Sequence, residues 1–448
     1  MSQLRGRARH RAADLRRRGP NLTEAALRVE AEQVCSDLTA QREAWRFGFT
    51  RRRVLAGAGA VGVAALGSQL VTTRVAFAAP GTDTRTLVVV FLRGGLDGLS
   101  VIVPAGDRNY LNARPNIGVQ TSRLLDGDGT FGLHPALAPL EPFWKAGTMA
   151  AVHAVHNPDA SRSHFQAQDC LERGSASQVV RTGWLDRTLG AMGPGTTFRA
   201  IAEGDSMPRS LVGTQAKLVL DGVEGFRLAG PDYLHDKTLN ALRTLYTGFE
   251  HPVVQQAKVT LSALDEARRL ANTPYQPVAP YPPGGFGNQL RDVARLIKAG
   301  VGLRVAAIDL GGWDMHTNLG NVDGGDMVNN LRAMANGLAA FATDLGDKLS
   351  DVTLVTMSEF GRRVGQNGNA GTDHGHGSLM MMLGGGMAGG KVHGKWPGLA
   401  PSALDNGDLA GVNDVRDVLG EMLSRRFNIG DVKKIFPEHD FTAIGAFR

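Results

Sequence analysis

The chain has 448 residues, of which 42% are hydrophobic, 21% charged and 6% aromatic, with 58 glycines and only two cysteines. That composition is globular; it excludes a collagenous or disordered chain, and two cysteines cannot make a disulfide framework. The formal net charge of +6 is confined to the leader: residues 1–79 carry fourteen arginines, no lysine and six acidic residues, which leaves a net −2 for residues 80–448. The body therefore has no global electrostatic reason to seek phosphate backbones, and no nucleic-acid partner is expected.

Residues 1–49 form an N-terminal extension whose stretch 24–45 is compatible with an amphipathic helix. Residues 50–79 read as a twin-arginine signal. Arg51-Arg52-Arg53 precede an uncharged stretch, 54–71, rich in Ala and Gly. A retained membrane anchor is the rival reading, but four glycines with Ser68 and Gln69 make this stretch weakly apolar for a bilayer. Ala76-Phe77-Ala78 offers small residues for cleavage near Ala79 or Pro80. The expectation is export with the twin-arginine translocase as transient partner, no stable membrane span afterwards, and a secreted, periplasmic or cell-envelope location. Cys35 would leave with the signal and Cys170 would stay unpaired.

Residues 86–92 are a continuous apolar, β-branched run, the pattern of a strand buried on both faces of a parallel sheet. Similar runs at 149–155, 198–202, 303–310, 352–357 and 378–383 predict further strands. Helical patterns lie between them at 164–172, 253–270, 289–299, 327–349 and 415–427. The alternation predicts a single α/β domain over 80–448, with a mainly parallel central sheet, helices on both faces and a helical insertion around 205–285.

In open α/β sheets ligands bind beyond the carboxyl ends of the strands. Five loops there are rich in metal-competent or nucleophilic side chains: Arg93 to Ser100 with Asp97; His156 to His164 with Ser161 and Ser163; Gly311 to Asn318 with Asp314 and His316; Ser358 to Arg362 with Glu359; and Gly371 to Gly377 with Asp373, His374 and His376. Singly, each has an ordinary reading as turn residue, helix cap or surface ion pair. Together, three aspartates and two or three histidines at one sheet edge are what one or two divalent cations require. A serine at a helix start beside them would be acidified and aimed for nucleophilic attack.

Arg93-Gly-Gly-Leu-Asp97-Gly-Leu, Ser161-Arg-Ser-His164-Phe-Gln-Ala-Gln-Asp169, Gly312-Trp-Asp314-Met-His316, Ser358-Glu-Phe-Gly-Arg362 and Thr372-Asp373-His374-Gly-His376 resemble the exported bacterial family called domain of unknown function 1501. That resemblance implies membership of the alkaline phosphatase-like superfamily, shared with sulfatases and cofactor-independent phosphoglycerate mutases. It implies Asp97, Asp373 and His374 as ligands of one metal and Asp314 and His316 as ligands of another, zinc or manganese, with His376 or His393 as a further histidine. The chain departs from the phosphatase pattern in spacing Asp-x-His where Asp-x-x-x-His is usual. Ser161 is the favoured nucleophile and Ser163 the alternative, with His164, Glu359 and Arg362 as catalytic companions. Cys170 is followed by Leu-Glu-Arg where a formylglycine sulfatase needs x-Pro-Ser-Arg, which argues against that branch.

Gly384-Gly-Gly386-Met-Ala-Gly389 fits a dinucleotide template, but 391–398 is no helix, so no helix start would meet a pyrophosphate. His134 and His153 read as hydrogen-bonded core histidines. The expected function is an exported metal-dependent hydrolase of a phosphate or related ester, small or part of the cell envelope. The alternative is a catalytically silent envelope protein of the same fold used for binding or assembly.

Overall fold

The computed structural model describes residues 84–226, 232–246 and 252–448; the stretches 1–49 and 50–79, read above as an extension and a signal, lie outside them. Strand β1, Thr86–Leu92, is buried along its whole length. Its alternating side chains feed two cores: Val88, Val90 and Leu92 point to one, Leu87, Val89 and Phe91 to the other. Each such buried Val or Leu contributes about 1.5–3 kcal/mol relative to exposure.

The remaining strands of the main sheet are β2 (Met149–His156), β3 (Ala200–Glu203), β4 (Leu218–Leu220), β5 (Val305–Leu310), β6 (Val352–Met357), β7 (Ser378–Gly384), β8 (Val392–His393) and β9 (Asn413–Asp414). Their order is β8-β2-β7-β6-β1-β5-β3-β4, with β9 also on β2. All pairings are parallel except those of β7, which runs antiparallel to both β2 and β6. The expected α/β class with a mainly parallel sheet is what forms.

Helix α1 (His164–Arg173) follows β2 and ends at Gly174, whose φ of 65° supplies the left-handed cap. Helices α2 (Gly285–Ala299) and α3 (Asp326–Leu345) cover the first core through Leu290, Val293, Leu331 and Leu338. Helix α4 (Val415–Phe427), capped by the Asp414 carboxylate on the Arg416 N–H, covers the second through Val418, Leu419 and Met422. Helices thus lie on both faces.

Two compact units can be distinguished. The larger spans 71–227 and 262–448 and carries the sheet; the described residues of the smaller, 232–246 and 252–261, are helical apart from the turn at Tyr246. Within 205–285 stand helices Asp232–Leu245 and Pro252–Asn272, and also the three-residue strand β4, too short for its periodicity to be read from sequence.

The antiparallel β7 decides where the site sits. Residues 358–377 leave the carboxyl end of β6 and re-enter β7 from the same edge. Asp373 and His374 therefore reach the edge served by the carboxyl ends of β1, β2 and β5, although they precede a strand.

Candidate metal centre

Two glycines let the loops at this edge close on one another. Gly94, at φ +125°, lies where a Cβ would fall 2.4 Å from the Asp314 nitrogen, and a Cβ on Gly371 would fall 2.2 Å from the His316 carbonyl carbon. The Thr372 N–H donates to the Met315 carbonyl at 3.1 Å and the Leu319 N–H to Ala370 at 2.9 Å, which ties the loop after β5 to the loop before β7.

Side chains of His164, Asp314 and His374 converge there, each offering a ligand atom within 4.8 Å of the others. His164 Nε2 stands 3.4 Å from Asp314 Oδ2; His374 Nε2 stands 3.1 Å from Asp314 Oδ1 and 3.0 Å from His316 Nε2. His316 Nε2 is itself 3.0 Å from Asp314 Oδ1.

The other nitrogen of each ring faces an acceptor. His164 Nδ1 meets Glu359 Oε1 at 2.8 Å, His374 Nδ1 the Arg162 carbonyl at 3.0 Å, and His316 Nδ1 the Asp373 carboxylate at 3.3 Å. In the neutral imidazole one nitrogen carries the proton and the other a lone pair. A proton on each Nδ1 would turn the three Nε2 lone pairs toward Asp314, while without a cation an Nε2 proton can bond that carboxylate instead. His164 Nε2 is buried and has no hydrogen-bond partner. This donor set of imidazole nitrogens and a carboxylate oxygen fits zinc or manganese, and an Nδ1 held by a carboxylate is how metal-binding histidines are oriented.

Glu359 is the orienting group. Fully buried, it also accepts from the Gly94 N–H and from Gln168 Nε2, both at 2.9 Å. Burial pushes its carboxyl up, but bonds from Gln168, His164 and Gly94 outweigh this and hold it below the usual carboxylate range. Gln168 lies one helical turn after His164 in α1 and accepts from Arg93 Nη1 at 3.0 Å, so β1, α1 and β6 are joined through one chain of bonds. Burial opposes ionisation of Asp314 too, yet bonds from Arg362 and His374 bring it down to about 2. Burial lowers His374 despite Asp314, which keeps it a neutral donor at pH 7. The Arg362 guanidinium donates to Asp314 Oδ1 at 2.6 Å and to the carbonyls of Gly94, Gly95, Trp313 and Thr372, so it braces three loops beside the cluster.

Not all expected ligands join. Asp97 is apart from the cluster: both oxygens are taken by Arg114, at 2.5 and 2.8 Å, and Ser100 Oγ donates to it at 2.7 Å. Arg114 lies seventeen residues later and carries no sequence signal. The backbone bends at His376 and turns its ring to His156, 5.7 Å between centroids, and to Asp405 at 3.5 Å. Asp373 reaches the cluster only through His316 and is otherwise held by Asn367 at 3.1 Å. His393 bonds the Ala388 carbonyl at 2.7 Å, away from the site. Ser161 Oγ donates to Gln166 Oε1 at 2.9 Å and accepts from the Ser163 N–H, whereas the exposed Ser163, directly before α1, makes no capping bond. Besides Arg114, sequence reasoning missed Gln168 and Phe360, whose ring stands 4.6 Å from that of His374. Cys170 is buried, and burial pushes its thiol up to about 12.

No curated protein matches the sequence. Among solved structures the chain is similar to the lipoteichoic acid synthase LtaP of Listeria monocytogenes (10% identity, TM-score 0.32, 74% of this chain and 73% of that one). It is also similar to the C-terminal periplasmic domain of EcEptC of Escherichia coli, solved in complex with Zn (11%, 0.33, 70% and 77%). A further likeness is to Ps i-CgsB in complex with k-i-k-neocarrahexaose (11%, 0.31, 77% and 72%). These likenesses are distant, and the chemistry of those proteins is theirs alone. The family described as "Protein of unknown function (DUF1501)" matches residues 84–424, and the chain belongs to that family.

Proposed function

We propose that the chain is an exported, metal-dependent hydrolase of the alkaline phosphatase-like class, acting on a phosphate or related ester. The observation that carries this reading is the convergence of the His164, His316 and His374 Nε2 atoms on Asp314, with every Nδ1 engaged by an acceptor. Arg362, 2.6 Å from Asp314 Oδ1 and 3.5 Å from His316 Nε2, offsets part of the negative charge here, and a divalent ion would engage the Nε2 lone pairs and the remaining Asp314 oxygen together. A divalent ion held there, zinc or manganese, supplies Lewis-acid polarisation of an ester oxygen. Glu359 keeps the His164 ring oriented, and Arg362 positions Asp314. The nucleophile is one of the two hydroxyls ahead of α1: Ser161 is favoured by its spacing from His164, Ser163 by its free hydroxyl. Export by the twin-arginine route, and a secreted or envelope location, rest on Arg51 to Arg53 and the stretch after them.

The test is turnover of simple phosphomonoesters and phosphodiesters by the zinc- or manganese-loaded full chain, with His374→Ala, Ser161→Ala and Ser163→Ala beside it. Turnover abolished by His374→Ala and by one serine change supports the hydrolase. A specific observation favours the rival, a silent binding protein: both oxygens of Asp97, an expected ligand, are engaged by Arg114. Stoichiometric ligand binding without turnover would establish that rival.

A further inference from the structure

Strand β3 ends at Glu203, which is 4% exposed, with Oε1 buried and without a hydrogen-bond partner. It opens into a cavity of about 260 Å³ lined also by Asp221, Glu224 and Asp292, by Asn288 and Gln289, and by Gly204, Gly222 and Gly225. Charges here do not balance. Arg295 pairs with Glu224 at 3.2 Å, and Arg291, which also lines the cavity, reaches Asp292 only at 3.7 Å. Among the described residues no cation pairs with Glu203 or Asp221. Burial first, then the nearby Asp292 and Asp221 carboxylates, push the Glu203 carboxyl up to about 8 against a bond from the Gly222 backbone. Asp292 is fixed by the Val223 N–H at 3.1 Å, and Gly222, at φ +79°, lets the backbone pass where a Cβ would come 3.2 Å from Asp292 Oδ2.

We infer that this cavity is a second cation site, built from Glu203, Asp292 and Asp221 for a hard divalent ion of the calcium type. Its side-chain donors, carboxylates and the amides of Asn288 and Gln289, offer oxygen and no imidazole or thiolate, which suits calcium or magnesium and not zinc. The carboxylates do not converge as tightly as the atoms of the His164 cluster, so water completes the coordination, as calcium and magnesium commonly accept. The cavity lies beside the C-terminal end of β3, which pairs with β5, the strand that leads to Asp314. An ion here would brace the β3 end and the 221–225 turn against α2.

The experiment uses the metal-depleted full chain, titrated with calcium chloride alone and with magnesium chloride alone in a calorimeter, and melted with and without each salt. One equivalent of calcium, and a melting midpoint raised by millimolar calcium, is the expected result. The same equivalent should persist in His164→Ala/His374→Ala, which separates this site from the histidine centre, and should vanish in Glu203→Gln. Glu203→Gln is nearly isosteric and, without calcium, should melt at or above the wild type, which proves it folded. Binding that survives Glu203→Gln, or no binding of either ion at millimolar concentration, overturns the proposal.

Discussion

Asp97 and Asp314 follow neighbouring parallel strands at the same sheet edge, yet they end in opposite conditions. The Asp97 side chain is almost wholly buried and spends both oxygens on Arg114; the Asp314 side chain is 47% exposed, gives Oδ1 to Arg362 and turns Oδ2 to His164. The partner, not the residue type or its place after a strand, decides the role. A carboxylate closed by a bidentate guanidinium is a structural tie, while one with an oxygen left facing imidazoles is open to a cation.

The sharpest way to break that contrast is on the sealed side. Arg114→Met leaves Asp97 buried and unpaired, and should cost about 3–5 kcal/mol of stability in urea unfolding. Adding Asp97→Asn should recover much of it, while the metal content of the folded protein stays unchanged. A loss of metal in the folded double variant would place Asp97 back in the centre.

His153 stands beside this sealed region, with Nε2 2.7 Å from the Ile102 carbonyl, and burial holds it down to about 4. The unfolded chain, with histidine near 6.5, then binds more protons than the folded one between those values. Its contribution is complete above about 6.5 and falls as the pH drops toward 4, by about 3 kcal/mol. Urea midpoints measured from pH 7 to pH 4 should show this decline, and His153→Gln, able to donate to Ile102, should flatten it.

On the open side the expected effects are on binding. Glu359→Gln should lower metal affinity by roughly 10–100-fold by loosening the His164 ring, with the fold retained. An unchanged affinity would mean that His164 is no ligand. The smallest effect belongs to Phe165, 89% exposed next to His164. Phe165→Ser should change stability by less than about 0.5 kcal/mol, and metal affinity not at all.

Much of the fold was readable because runs such as 86–92 and 352–357 are long and apolar enough to declare strands, and the structure forms both over those residues. Residues of the candidate cluster were readable where chemistry is concentrated in a few consecutive residues, as in Asp314 to His316 and at His374. What escaped was set by contacts distant in sequence. Arg114 reaches Asp97 from a segment without a motif, and the bend at His376 separates two histidines only two positions apart. The antiparallel course of β7, which carries His374 to the edge, has no local signature. Glu203 resembles any residue ending a strand until Asp292 and Asp221 gather round it.

The most direct measurement is the zinc and manganese content of the full chain, purified without chelator, by inductively coupled plasma mass spectrometry, for the wild type, Asp97→Asn and His164→Ala/His374→Ala. Metal retained in Asp97→Asn and lost in the histidine double variant is the predicted result. Metal lost in folded Asp97→Asn but retained in the double variant would contradict the account, because the ion would then lie on the sealed side.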